Sequence, residues 1–302
     1  MQPATQDNPQ PDAPAKVKRS GSLGQRWLTA GVAMPLVLLF VWFGGWWAFA
    51  ATFLVMALCA FELHNMAFHA GYRSIIVLML GLSVLFMLSA MFPVQRLIIL
   101  EVGLGVTILI SLPWLFFRKN LEGALVDWAL TLAFSLYLGI PASFFLLLRG
   151  YTPAQIHGPG GALIYLPPGA WWLLVVLLGV WGFDSAAFFA GRYFGRHKLS
   201  PRVSPGKTWE GVIGGMILSI AAGLLFTVIP LGVPWYLAIL LGILIGAAAV
   251  LGDLSESLIK RQTHVKDSGQ FMPGHGGMLD RVDSLWFAVI VVYIFAQFIG
   301  KP

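Results

Sequence analysis

Residues 171–190 read WWLLVVLLGVWGFDSAAFFA, twenty positions with one ionisable group, Asp184. A helix of about 20 apolar residues spans the hydrocarbon core of a bilayer, so this stretch reads as a membrane span. Eight further segments read the same way: 28–44, 46–66, 74–92, 97–117, 128–148, 209–229, 235–252 and 285–299. Five of the nine open with Trp, the residue that anchors at headgroup level. Over 302 residues the chain is 58% hydrophobic and 11% charged, with a mean hydropathy of +0.81. Soluble domains carry about a quarter charged residues. The fold class is therefore all-α, a polytopic integral membrane protein of about nine transmembrane helices.

Residues 1–26, rich in Pro, Gln, Asp and Lys, read as a disordered tail. Residues 27–302 read as a single membrane domain, with N-terminal spans over 27–150 and a polar-looped C-terminal part over 169–300. The one cysteine, Cys59, excludes an intramolecular disulfide and sits in an apolar run as a packing residue. The net charge of +6 points in a membrane protein to orientation, not to nucleic acid. Threading nine spans from a cytoplasmic N-terminus puts sixteen of the 19 Lys and Arg residues on the cytoplasmic side. That asymmetry is the positive-inside pattern. Loop 151–168, with Gly and Pro but no Lys or Arg, falls on the opposite side.

Two long loops fall on the basic side. One is GRYFGRHKLSPRVSPGKTWEG, 191–211; the other is KDSGQFMPGHGGMLDRVDS, 266–284, with its lead-in GDLSESLIKRQTHV, 252–265. Carboxylates edge both: Asp184 near the end of span six, Asp253 and Glu256 ending span eight, Asp280 and Asp283 opening span nine. Ionisable residues at membrane depth are costly and mark function. The three-residue spacings put Asp253 with Glu256, and Asp280 with Asp283, on one helical face. Hard oxygen donors without clustered Cys or His suit Mg²⁺ or Mn²⁺, not zinc. Asp184, Asp253, Asp280 and Asp283 are the candidate ligands, enough for a second ion. Glu256 is equally the i,i+4 partner of Lys260. Acids at a helix N-terminus also favour its dipole, which fits Asp280 and Asp283 but not Asp253.

Gly274, Gly276 and Gly277 allow positive φ and a nest of backbone N–H groups for an anion. Lys260, Arg261, Lys266 and Arg281 supply charge for phosphate oxygens. His275 either donates to a phosphate or holds the turn. SPGKT, 204–208, is no P-loop, because the glycine required five residues before Gly206 is Pro201. Ser204, Lys207 and Thr208 instead cap span seven and offer phosphate contacts at its N-terminus. Arg192 and Arg196, one turn apart, reach a lipid phosphate or snorkel to the interface.

From Ser257 to Asp283, SLIKRQTHVKDSGQFMPGHGGMLDRVD resembles the signature of the phosphatidate cytidylyltransferases, or CDP-diacylglycerol synthases. The matching positions are Ser257, Lys260–Arg261, Lys266–Asp267, His275–Gly276–Gly277, Asp280–Arg281 and Asp283. Met272 replaces the usual Leu, Ile or Phe. The earlier loop from Asp184 also looks like the family's. The resemblance implies CTP and phosphatidate as substrates, CDP-diacylglycerol and pyrophosphate as products, and Mg²⁺ as cofactor. On this reading Asp280, Lys266 and Arg281 are catalytic. Ser204, Lys207, Thr208, Arg192, Lys260, Arg261, His275, Gly276 and Gly277 bind substrate. The protein would sit in a bacterial inner membrane, in contact with membrane lipid, with its N-terminus and both loops cytoplasmic.

A transporter of an anionic solute is the rival from another class. It predicts polar residues near the midplane in broken helices of two halves, whereas the second-half charges here gather at one face. Glu62 and Glu101 in the first half read as helix-packing or edge residues. A CDP-alcohol phosphotransferase or an aspartate-rich prenyltransferase is the nearer alternative. Gly242 and Gly246, four apart in span eight, permit close helix contact, within one chain or between two copies in a homodimer. Reporter fusions after Lys119, Arg202 and Val265 should all read cytoplasmic, and one within 155–161 external. An external reading after Val265 would put the signature loop out of reach of cytoplasmic CTP.

Overall fold

The computed structural model describes residues 23–152, 166–269, 271 and 276–299. Most of the expected tail, most of loop 151–168, and His275 lie outside these residues. Helix α1 (Leu23–Phe43) is separated from α2 (Gly45–His69) at Gly44, whose φ of 64° breaks the run. Any side chain there would meet the Arg149 guanidinium, which donates to the Val41 and Trp42 carbonyls, the latter at 2.8 Å, and so satisfies the end of α1. Then follow α3 (Ile76–Met91), α4 (Arg96–Trp114) with a closing 3₁₀ turn, α5 (Ala124–Arg149) and α6 (Pro168–Phe194).

A short antiparallel ribbon, β1 (Lys198–Ser200) and β2 (Ser204–Thr208), leads into α7. This last helix starts at Trp209 and reaches Leu231 through a π turn over Leu224–Val228. The π turn precedes Pro230, whose missing N–H and ring disturb the preceding turn. Helices α8 (Trp235–Gln262) and α9 (Leu279–Ile299) complete the chain.

Helices thus stand at all nine places marked by hydropathy. Among the described residues seven are long and apolar enough to cross a membrane; α3 and the apolar part of α1, Met34–Phe43, are shorter. The protein is an all-α polytopic membrane protein, and the ribbon is the only sheet among the described residues.

Two buried clusters order the bundle. One joins Trp172 and Val176 of α6, Leu241 and Ile245 of α8, and Val289 and Val292 of α9. The other joins Met56 and Leu63 of α2, Met79 and Met87 of α3, Leu138 of α5, and Met278, Leu279 and Trp286 at the start of α9. Helix α9 therefore belongs to both halves. Gly242 and Gly246 press against α7 of the same chain, at Ile220 and Met216, and Ser219 Oγ donates to the Gly242 carbonyl at 2.8 Å.

Helices α6, α8 and α9 run past their apolar stretches. Asp253, Glu256 and Lys260 stand on α8, and Asp280 and Asp283 on α9, beyond the span limits of 252 and 285 but with the helical spacing expected of them. Polar residues interrupt hydropathy without interrupting helical hydrogen bonding. The Glu256–Lys260 pair at 2.6 Å even supports the added turns of α8.

Gly252 brings α8 and α9 together. A Cβ there would lie 2.5 Å from the Asp283 carbonyl oxygen and 2.9 Å from Ser284 Cα. Gly252→Ala should destabilise the protein by about 1–3 kcal/mol, the usual cost of overpacking, seen as a lower thermal midpoint in detergent. Gly81→Ala, where a methyl meets nothing within 4 Å, should leave the midpoint unchanged or raised.

Candidate active site

The ends of α6, α8 and α9 and the start of α7 surround an open cleft of about 530 Å³. Asp184 and Arg192 come from α6, Lys207 and Thr208 from β2, Asp253, Glu256 and Lys260 from α8, and Asp280, Arg281 and Asp283 from α9. Apolar side chains, among them Phe183, Phe188 and Val212, also line it. Thr208 caps α7, its Oγ1 accepting from Gly211 N at 3.2 Å. His197 Nδ1 meets Glu210 Oε1 at 2.6 Å and ties the ribbon to that helix.

Asp253, Glu256 and Asp283 bring ligand oxygens within 4.8 Å of one another. Glu256 is 1% exposed and Asp283 6%, so water cannot screen them well. Two unit charges about 4 Å apart repel by about 4 kcal/mol at an effective dielectric of about 20. Lys207 Nζ lies 2.7 Å from Asp253 Oδ2, and Lys260 Nζ lies 2.6 Å from both Glu256 Oε2 and Asp280 Oδ1. Those two lysines offset two of the four carboxylate charges they touch or adjoin. Glu256 Oε1 is buried with no hydrogen-bond partner among the described residues. An all-oxygen trio with an unsatisfied buried oxygen fits a hard divalent cation.

Asp280, expected beside these as a ligand, has both oxygens engaged by protein donors. Oδ1 takes Lys260; Oδ2 accepts from Gly277 N at 2.9 Å, Ser268 N at 3.1 Å and Ser268 Oγ at 2.9 Å. Glu256, weighed as the partner of Lys260, makes that pair and also joins the trio. Gly276 has φ 83°, and a Cβ on it would lie 2.9 Å from Asp280 Oδ2, so the turn closes only around glycine.

The remaining expected residues divide. Ser204 pairs with Ser200 in the ribbon and is not on the cleft wall. Arg261 Nε donates to the Val203 carbonyl at 3.2 Å, joining α8 to the ribbon. Arg261 and Lys266 line a separate, shallower recess of about 380 Å³ with His264. Gly277 is buried in the signature turn. His275 lies outside the described residues.

Sequence reasoning missed two residues. Ser268 links Asp280 to a further carboxylate, Glu62 of α2, to which its Oγ donates at 3.0 Å. Glu62 also accepts from Met278 N and Leu279 N, both at 2.8 Å. Its position within an apolar span was the available signal, since a buried carboxylate demands partners.

Bundle and cleft define an integral membrane protein whose centre is a carboxylate cluster answered by lysines. The chain belongs to the cytidylyltransferase family, whose sequence model matches residues 24–299. It is similar to three curated proteins named phosphatidate cytidylyltransferase. The one from Haemophilus influenzae is 42% identical over 197 residues, 62% of either chain. The one from Pseudomonas aeruginosa is 38% identical over 213 residues, 63% of this chain and 75% of the relative. The one from Synechocystis is 32% identical over 294 residues, 90% of this chain and 95% of the relative. The chain spans about three fifths of the length of several such relatives, including those from Brucella.

Mn²⁺ titrated into detergent-solubilised protein and followed by electron paramagnetic resonance should bind at this trio. Asp283→Asn should weaken that binding by at least about tenfold, the scale on which even supporting residues of a metal site act.

Proposed function

We propose that this chain transfers the cytidylyl group of CTP to phosphatidate, giving CDP-diacylglycerol and pyrophosphate. The observation that carries the reading is the convergence of Asp253, Lys260, Asp280 and Asp283 with Lys207 on one cleft that apolar side chains also line. The family membership supports it, as do the relatives' names. The apolar lining at Phe183 and Phe188 suits the lipid next to its headgroup, while the charged lining suits the triphosphate.

The nucleophile is a phosphate monoester, largely dianionic near neutrality because its second pKa is about 6. Its oxygen attacks the α-phosphorus of CTP; the new P–O bond forms as the bond to the β-phosphate bridging oxygen breaks, and that electron pair leaves with pyrophosphate. No general base or covalent enzyme intermediate is needed. The barrier is repulsion between two anions, and the chain's task is to lower it.

Lys207, Lys260, Arg192 and Arg281 face the cleft to neutralise phosphate oxygens, and Thr208 contributes the start of α7. Asp253, Glu256 and Asp283 would hold Mg²⁺, with Asp184 also lining the cleft. Such an ion supplies Lewis-acid charge on the phosphoryl oxygens. Asp280 serves by fixing Lys260 and the signature turn. Arg261 and Lys266 attract the polyphosphate at the neighbouring recess, and Ser204 and Arg261 hold the ribbon that presents Lys207. Gly276 and Gly277 permit the turn, with His275 beside them in sequence. The cleft would open to the cytoplasm of a bacterial inner-membrane protein, where CTP is found.

Purified protein given labelled CTP and phosphatidate should form CDP-diacylglycerol and pyrophosphate only when Mg²⁺ is present. Hydrolysis of CTP without lipid product, or an acceptor other than phosphatidate, would overturn the reading. Lys207→Ala tests the ribbon's part. A charge-assisted hydrogen bond to phosphate is worth roughly 1.5–3 kcal/mol, so kcat/KM should fall about tenfold or more for one substrate. Unchanged kinetics for both substrates in correctly inserted protein would remove Lys207 from the site.

A further inference from the structure

We infer that Glu62 is a positioning residue for the carboxylate centre, acting from the N-terminal half through Ser268 and the first turn of α9. The inference rests on the proposed role of that centre. Helix α9 has no cap of its own: Gly277 and Met278 precede Leu279, and neither offers a side-chain acceptor of the usual Ser, Thr, Asp or Asn kind. The free N–H groups of Met278 and Leu279 go instead to Glu62 Oε1 and Oε2, each at 2.8 Å. Glu62 is 7% exposed, and its charge lies at the positive end of the α9 dipole.

The second link is Ser268. Its single hydroxyl hydrogen lies within reach of Glu62 Oε2 at 3.0 Å and of Asp280 Oδ2 at 2.9 Å. The two carboxylates thus share one donor, and the orientation of Asp280 depends on Glu62 through it. Close approach is built in on both sides. A Cβ on Gly269 would lie 2.5 Å from Glu62 Oε1, and one on Gly277 would lie 2.6 Å from Oε2. Both glycines therefore leave room for this carboxylate as well as bending the backbone.

The consequence reaches the centre in one turn of helix. Glu62 fixes where α9 begins, Asp280 follows at the second helical position and holds Lys260, and Asp283 follows one turn on, in the trio with Asp253 and Glu256. Glu62 touches none of the trio, so its effect is on placement.

The test compares wild type with Glu62→Gln, which keeps the side-chain size but turns an amide donor toward backbone N–H groups, and with Glu62→Asp, which keeps the charge but is one methylene shorter. Glu62→Gln should weaken Mn²⁺ binding and lower kcat, each by about tenfold, with KM for phosphatidate unchanged and with Glu62→Asp recovering part of both. Wild-type Mn²⁺ affinity and kcat in Glu62→Gln would overturn the inference. So would a loss matched by the fraction of protein that fails to fold, with normal values in the remainder.

Ser268→Ala keeps Glu62 and its backbone bonds and removes only the shared hydroxyl. It should move both readouts in the same direction, and if it leaves both unchanged while Glu62→Gln only misfolds, Glu62 is structural. Wild-type protein that makes no CDP-diacylglycerol, yet loses Mn²⁺ binding on Glu62→Gln, would sink the proposed function and leave this inference standing.

Discussion

Mutual repulsion among carboxylates held within 4.8 Å is the constraint around which this end of the molecule is arranged. Asp283 of α9 would move away from Asp253 and Glu256 of α8 if the two helices were free to part. Gly252 removes the side chain that would keep α8 off α9, and the two backbones meet beside the trio. Lys260 lies between Glu256 and Asp280, tying α8 to α9 by charge at the level where glycine ties them by contact. Lys207 adds the ribbon, and through Thr208 the start of α7. Stored repulsion of this kind costs stability unless a cation is bound, and it is tolerated at functional sites because the surrounding packing enforces it.

The two halves of the chain have different parts in that enforcement. The second cluster of buried side chains, built on α2, α3 and α5, takes in Met278, Leu279 and Trp286. Helix α9 is thereby held at its first turn by the N-terminal half and along its length by α6 and α8. Met278 and Leu279 are buried within the protein, so the N–H groups at the start of α9 need an acceptor from the protein itself. Glu62 supplies it from more than 200 residues away in sequence.

Much of this was legible in the sequence. Runs such as 171–190 announce the spans, because bilayer thickness imposes a length that composition reveals directly. The spacing of Asp253, Asp280 and Asp283 against basic residues pointed to a carboxylate cluster, but the three that converge are Asp253, Glu256 and Asp283, while Asp280 is held by protein donors. Helix ends were less legible: hydropathy stops at Gly252, but the helix continues to Gln262, since hydrogen bonding does not end where apolar side chains do. Glu256 was balanced between an ion pair and the carboxylate cluster, and geometry gives it both. Ser268 and Glu62 were hidden because each acquires its meaning from a partner on another helix. A lone carboxylate in an apolar span shows that a partner is needed without showing which.

The two lysines of the cleft are unequally tethered. Lys260 has two partners, Glu256 and Asp280, and its side chain is 15% exposed. Among the described residues Lys207 has one ion pair, to Asp253, the two side chains being 21% and 38% exposed. Moving Lys207 away would leave one carboxylate, Asp253, without its cation, whereas moving Lys260 would leave two, Glu256 and Asp280. An anion entering the cleft therefore competes with one carboxylate for Lys207 and with two for Lys260. The two cations differ in tether more than in exposure: the singly held Lys207 is the easier for a phosphate to draw away, and the doubly held Lys260 is the firmer point to bind against.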